Sequence, residues 1–171
     1  MNKAIPVVED VLRVADLGQP LVSDCLARFG LDLEWLPANS AIKGSYWGEP
    51  EAGIVGECVY VRDDTPVHSL LHEVCHIVCM SAERRSGLVR DAGSDDLEES
   101  AVCYLQIVLS EMLPGVGAGR LMSDMDSWGY SFRLGNTACW FDHDAEDARR
   151  WLISEGLLTS ADQPVFRLRG S

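Results

Sequence analysis

The sequence is poor in positive charge. It has 14 lysine and arginine residues against 27 aspartate and glutamate residues among 171, which gives a formal net charge of −13 and an isoelectric point near 4.5. The acidic residues are spread along the chain and do not form a tail. Because such a surface repels phosphate backbones and anionic lipids, we expect no direct nucleic-acid partner and no membrane partner.

Long apolar runs are also missing. Glu9 and Asp10 arrive before any run long enough for a signal peptide, and no later segment approaches a membrane span, so we expect a cytoplasmic location. A hydrophobic content of 47% is still enough for a sizeable core. We predict one domain over 1–171, with helices and sheet in 1–64, metal-site helices in 65–113 and a C-terminal helical part in 114–171.

Cysteine pairs with CxxC spacing are absent. The scattered pattern favours reduced thiols in the core over a disulfide framework or a CxxC zinc site. The six positions are Cys25, Cys58, Cys75, Cys79, Cys103 and Cys139. Cys75 and Cys79 share a helical face beside the motif described below, where either could bind a metal, but core packing is the more common role of a buried cysteine.

Two further signatures are incomplete. The glycine-rich stretch 114–120 lacks the Gly-Lys-Ser/Thr ending of a phosphate-binding loop, so we interpret it as a flexible connector. His76 is the last residue of the motif described below, and no Gly-x-x-His follows it at the interval of a metzincin. Nucleotide binding and metzincin chemistry are therefore disfavoured.

What the chain does contain is the HExxH sequence His72-Glu73-Val74-Cys75-His76. Two histidines four residues apart lie one above the other on a helix, so their ring nitrogens can bind one metal ion. Neutral imidazoles suit Zn²⁺, and Glu73 beside them can take a proton from water. Core histidines hydrogen-bonded to carbonyl groups are the alternative. The motif and its apolar surroundings favour a zinc site for hydrolysis.

The third metal ligand is expected on the next helix, predicted from about 95 to 112. Glu98 falls in the middle of the apolar stripe of this helix, and a carboxylate there is costly unless it binds a cation. We therefore predict Glu98 as the ligand, with Glu99 as the alternative if the helix phase is one residue off. Acidic residues also favour any first helical turn, which is a simpler explanation for both.

The remaining periodicity predicts an α+β fold with N-terminal helices, a short, mostly antiparallel sheet, the HExxH helix and C-terminal helices. Thr65 and Pro66 should begin the HExxH helix. The tail 159–171 is expected to be loose. Helices are predicted at 6–17, 20–29, 121–128 and 142–155, strands at 31–36, 41–47 and 53–62, and a loop over the site at 81–96.

These features resemble the gluzincins, and in particular the ImmA/IrrE family of small zinc-dependent proteins. The likeness covers roughly residues 20 to 113: a helix, a strand ending in Trp35-Leu36-Pro37, a glycine-containing hairpin, Thr65-Pro66, HExxH and a later glutamate. It implies a zincin-like fold and peptide-bond hydrolysis, in this family the regulated cleavage of a transcriptional repressor. Here Glu98-Glu99-Ser100 stands where the family typically has Glu-Ala-Asn.

Other residues are candidates by type and position. Tyr130 and His143 could stabilise the oxyanion, and His68 lies one turn before His72, where it could line the cleft or face solvent. The rival to an enzyme acting on a protein or peptide is a non-catalytic zincin-like module that binds another protein and has a structural metal or none. A fourth protein ligand, such as Cys103 or His143, would favour that rival.

Overall fold

A computed structural model describes residues 10–46, 48–88 and 95–171. The α+β class is confirmed, because eight helices and a three-stranded sheet occupy this part of the chain. None of these helices combines the length and the apolar content needed to cross a bilayer. In chain order the elements are α1 Val14–Leu17, α2 Gln19–Ala27, β1 Asp32–Trp35, β2 Gly53–Val55, β3 Cys58–Val61, α3 Val67–Cys79, α4 Ala82–Ser86, α5 Asp96–Ser110, α6 Ala118–Ser127, α7 Thr137–His143 and α8 Glu146–Ser154.

The sheet is mixed, which corrects the expectation of a mostly antiparallel one. Its strand order is β1-β3-β2, with β1 parallel and β2 antiparallel to β3. The chain reverses between β1 and β2 and again between β2 and β3, so that β3 returns in the direction of β1. Val59 and Val61 of the central strand are fully buried.

A glycine divides the region 53–62, which the sequence pattern predicts as one strand. Val55 pairs with Cys58, so the two residues between them form the turn of a β2–β3 hairpin. Gly56, the first of these two, has a φ of 61°. Left-handed backbone of this kind favours glycine and is typical of two-residue hairpin turns.

The strand predicted at 41–47 does not form over 41–46, and Trp47 lies outside the described residues. The segment instead turns beside β2, where the Ile54 amide donates to the Gly44 carbonyl oxygen at 3.3 Å. This contact covers part of the outer edge of β2.

The first helix is shorter than the one predicted at 6–17. Helix α1 begins only at Val14, and residues 6–9 of the predicted helix lie outside the described residues. Near the start of α3, Thr65 Oγ1 accepts from the Arg62 amide at 2.9 Å, while Pro66 is the N-cap. Thr65 therefore closes the preceding turn and does not cap the helix.

Helix α3 is the centre of the molecule, and its neighbours include α5, α6 and β3. Every residue of α3 except His72 and Glu73 is buried. Apolar side chains nearly all round predict such a central helix. The predicted helix on 95–112 is present as α5, and it packs against both α3 and α8.

Two segments expected to be irregular are ordered. Residues 82–86 of the predicted loop form α4, while 89–94 lie outside the described residues. The tail is packed, because Leu168 is buried and the Phe166 ring lies 5.1 Å from that of Phe29. Apolar residues spaced along the tail anchor it to the core.

Candidate metal centre

His72 and His76 lie one turn apart on α3, and their rings converge. Their Nε2 atoms are 3.1 Å apart, and the ring planes are nearly perpendicular, at 87°. The apolar sides of α3 fix its rotation in the core, and the helical spacing then brings the two rings together.

Glu99, in the first turn of α5, completes the group. Its Oε1 lies 3.1 Å from His72 Nε2, and its Oε2 lies 3.2 Å from His76 Nε2. The side chains of His72 and His76 are 15% and 11% exposed, whereas that of Glu99 is 45% exposed, so the group opens to solvent on the Glu99 side. Within the described residues, these three side chains could hold a metal ion.

The structure corrects the predicted third ligand, since Glu99 and not Glu98 faces the histidines. Glu98 is only 4% exposed, as its position on the apolar stripe predicts. Its cation, however, is Arg84, whose Nη1 and Nη2 donate to Glu98 Oε1 and Oε2 at 2.7 and 2.8 Å. A buried carboxylate needs a cation, and here the chain provides one.

The spacing of the three side chains fits a tetrahedral ion. Zinc–nitrogen bonds of about 2.0–2.1 Å place neighbouring ligand atoms roughly 3.3 Å apart in a tetrahedron. Here the two Nε2 atoms are 3.1 Å apart, and they lie 3.1 and 3.2 Å from different oxygens of Glu99. Imidazole nitrogens facing each other so closely need a proton or a cation between their lone pairs. Three protein ligands would leave a fourth position open.

Gln106 orients His72, and the sequence analysis missed it. Its Oε1 lies 2.6 Å from His72 Nδ1, and its Nε2 donates to the His68 carbonyl oxygen at 3.2 Å. The Gln106 side chain is fully buried. With Nδ1–H donating to Gln106, the lone pair on His72 Nε2 is left for a metal. The sequence does contain one indication of this role: Gln106 is a single amide residue in the apolar stripe of α5, two turns after Glu99.

In the metal-free protein, a proton shared with Glu99 balances the cluster. Burial lowers the pKa of His72, but contacts with Tyr130, Cys103 and Glu99 outweigh it and hold this pKa well above its usual range. Burial raises the pKa of Glu99, but hydrogen bonds from both histidines lower it far below that of an ordinary carboxyl. A metal ion must therefore displace a proton.

The other predicted candidates separate into two groups. Tyr130 lies at the site, with its hydroxyl 3.3 Å from Nδ1 of the buried His68 and its ring centroid 5.6 Å from that of His72. His68 is therefore a buried neighbour of the site and not a solvent-facing residue. His143 is exposed at the end of α7 and is not part of the ligand group.

The cysteines near the motif pack as core residues. Cys75 and Cys79 are fully buried, and burial raises the pKa of each thiol. Cys103 follows Glu99 by one turn of α5 and contacts His72, but burial raises its pKa too. It does not belong to the group of three.

A cleft of about 590 Å³ lies between the first turns of α5, residues 131–133, α7 and α8. Ser100 and Ser131 line it, and they are the chain neighbours of Glu99 and Tyr130. Its volume lies within the range of about 300–1,000 Å³ that is common for ligand pockets.

No protein-family model matches the chain, and neither does any curated protein or solved structure. The resemblance to gluzincins therefore stays a prediction from the motif.

Proposed function

We propose that this protein is a zinc-dependent metallopeptidase with a cytoplasmic protein as substrate, possessing a gluzincin-type site. The observation that carries the proposal is the convergence of His72, His76 and Glu99 at tetrahedral spacing. Glu73 and His72 are the two residues of helix α3 that are not buried. Two imidazoles, one carboxylate and an open position are typical of catalytic zinc.

Zinc bound by these residues would lower the pKa of water and polarise the carbonyl group of the scissile peptide. Glu73 adjoins His72 on the solvent-facing side of α3, accepts a proton from the attacking water and passes it to the leaving amine. Tyr130 donates a hydrogen bond to the carbonyl oxygen as negative charge develops there. Burial raises the pKa of Tyr130, so its hydroxyl stays protonated at neutral pH.

Replacing Glu73 by glutamine tests the proposal. Wild-type and variant protein, both loaded with zinc, are incubated with unfolded casein, and the new peptides are identified by mass spectrometry. We expect the variant to keep its zinc and to lose hydrolysis by about 100-fold or more, because the general base is gone. Glu83→Gln, an exposed change on α4, is the matched control and should keep activity. Cleavage that survives Glu73→Gln would contradict the mechanism.

A non-catalytic protein-binding module with structural zinc is the second candidate, and the contact of Cys103 with His72 favours it. If Cys103 were a fourth ligand, the site would be closed. Cobalt-substituted protein separates the candidates, because a thiolate ligand adds an intense near-ultraviolet charge-transfer band. The peptidase proposal predicts no such band and the same cobalt spectrum after Cys103→Ser.

A further inference from the structure

Arg169 joins the C-terminal segment, residues 159–171, to the two helices that carry the candidate ligands. Its backbone amide donates to the Val78 carbonyl oxygen at 2.9 Å. Its Nη1 donates to the Cys79 carbonyl oxygen at 3.2 Å and to Glu98 Oε1 at 3.4 Å, and its Nε donates to Glu155 Oε2 at 3.0 Å. We name Arg169 and these four partners the C-terminal clasp.

The clasp binds the end of α3, where His76 lies. Carbonyl groups in the last turn of a helix lack partners within it, and the negative end of the helix dipole favours a cation. Arg169 satisfies the carbonyl groups of Val78 and Cys79. Arg85 donates to the Met80 carbonyl oxygen at 2.6 Å and to the Arg169 carbonyl oxygen at 2.8 Å. Two arginines therefore fix this helix end.

His76 depends on that helix end more than His72 does. The ring of His72 is oriented by Gln106. Nδ1 of His76 is buried and has no hydrogen-bond partner within the described part of the chain. Apart from the contacts of its Nε2 with His72 and Glu99, the His76 ring is therefore positioned by the backbone of the last turn of α3.

The clasp also binds the start of α5. Glu98 and Glu99 are adjacent, and successive residues of a helix are separated by a fixed rotation of about 100°. Holding Glu98 in the core therefore turns Glu99 towards the histidines. We infer that Arg169 is a positioning residue of the metal centre, which keeps the end of α3 and the start of α5 in the relation that lets His76 and Glu99 share one ion. It has this role only if the group binds zinc as proposed above.

Arg169→Met tests this role without isolating a buried charge, because Arg84 keeps both of its hydrogen bonds to Glu98. Zinc affinity is measured by competition with a chromophoric chelator, and site geometry by the visible spectrum of the cobalt-loaded protein. We expect zinc binding to weaken by about 10-fold or more and the cobalt bands to shift, as is usual when outer partners of metal ligands are lost.

Two matched variants complete the experiment. Arg169→Lys keeps a cation near Glu98 and Cys79 with fewer donors, and it should bind zinc more tightly than Arg169→Met. Arg167→Met changes an exposed arginine of the same segment and should leave affinity within about 2-fold. Wild-type affinity and an unchanged cobalt spectrum in Arg169→Met would overturn the positioning role alone, even if its melting temperature fell. Failure of the wild type to bind zinc would overturn both proposals.

Discussion

Glu98 and Glu99 are neighbours in the chain, but their surroundings differ sharply. The Glu98 side chain is 5% exposed and binds two arginines, whereas that of Glu99 is 45% exposed and faces two imidazoles. The arginines beside Glu98 are permanent cations, and they cannot release a proton to make way for a metal. Imidazoles can release a proton to solvent and bind a metal ion in its place. Of the two glutamates, only Glu99 therefore faces a positive charge that a metal ion can replace. Deep burial therefore marks the structural glutamate, and partial exposure marks the candidate ligand.

Among the changes that test this difference between the two glutamates, the largest expected effect is the loss of folding stability in Glu98→Ala. Glu98→Ala leaves Arg84 and Arg169 without their buried partner. Breaking a buried ion pair costs about 3–5 kcal/mol, but Arg84 is 38% exposed and can regain water. We expect the free energy of unfolding of the metal-free protein to fall by about 2–3 kcal/mol, measured by urea denaturation. A loss below about 0.5 kcal/mol, the size typical of surface changes, would contradict a structural role for Glu98.

The next effect concerns Gln106, which orients His72, the histidine whose Nε2 contacts both Glu99 and His76. Gln106→Leu removes the acceptor for His72 Nδ1 while it keeps a similar side-chain volume. Zinc affinity should fall by about 10- to 100-fold, because His72 loses its orientation. Gln163→Leu, an exposed change in the C-terminal segment, is the control. Equal affinities for Gln106→Leu and wild type would remove Gln106 from the site.

Acidity should weaken the binding of zinc by His72, His76 and Glu99. The pKa of His72 is raised, so the metal-free cluster holds a proton at neutral pH, and zinc must displace it. Zinc affinity should therefore increase by about tenfold per pH unit for each proton released and level off above the pKa of His72. Calorimetry in buffers of different ionisation enthalpy counts these protons. No proton release at neutral pH would contradict the shared-proton arrangement.

The smallest effect is on the stability of Glu99 variants. Because this side chain is about half exposed, water can replace much of what it gives the metal-free fold. Glu99→Gln should change the free energy of unfolding by less than about 1 kcal/mol without zinc. A loss as large as that of Glu98→Ala would show that the two glutamates share a structural role.

Sequence patterns predicted the central helix, the histidine pair and the burial of Glu98. They did so because each depends on local spacing and apolar periodicity. The identity of the cation at Glu98 could not be predicted, since Arg84 and Arg169 lie 14 and 71 residues away in the chain. For that reason the sequence favoured Glu98 over its alternative Glu99, whereas the structure places Glu99 beside the histidines.

Other differences also have physical causes. Gly56, with its positive φ, lies in the turn that divides 53–62 into a hairpin, and a single glycine is a weak signal within a β-branched segment. The tail was expected to be loose because its anchors are long-range, and Arg169 binds Cys79 across 90 residues. Gln106 went unnoticed because an isolated amide has no local pattern.

The most direct test of the central claim is zinc content, measured by mass spectrometry after excess zinc is removed by gel filtration. The variants are Glu99→Ala and Glu98→Gln, compared with wild type. We predict about one zinc per chain in wild type, most of it retained in Glu98→Gln and nearly all of it lost in Glu99→Ala. Zinc that stays in Glu99→Ala but leaves Glu98→Gln, or a wild type that binds none, would contradict the account.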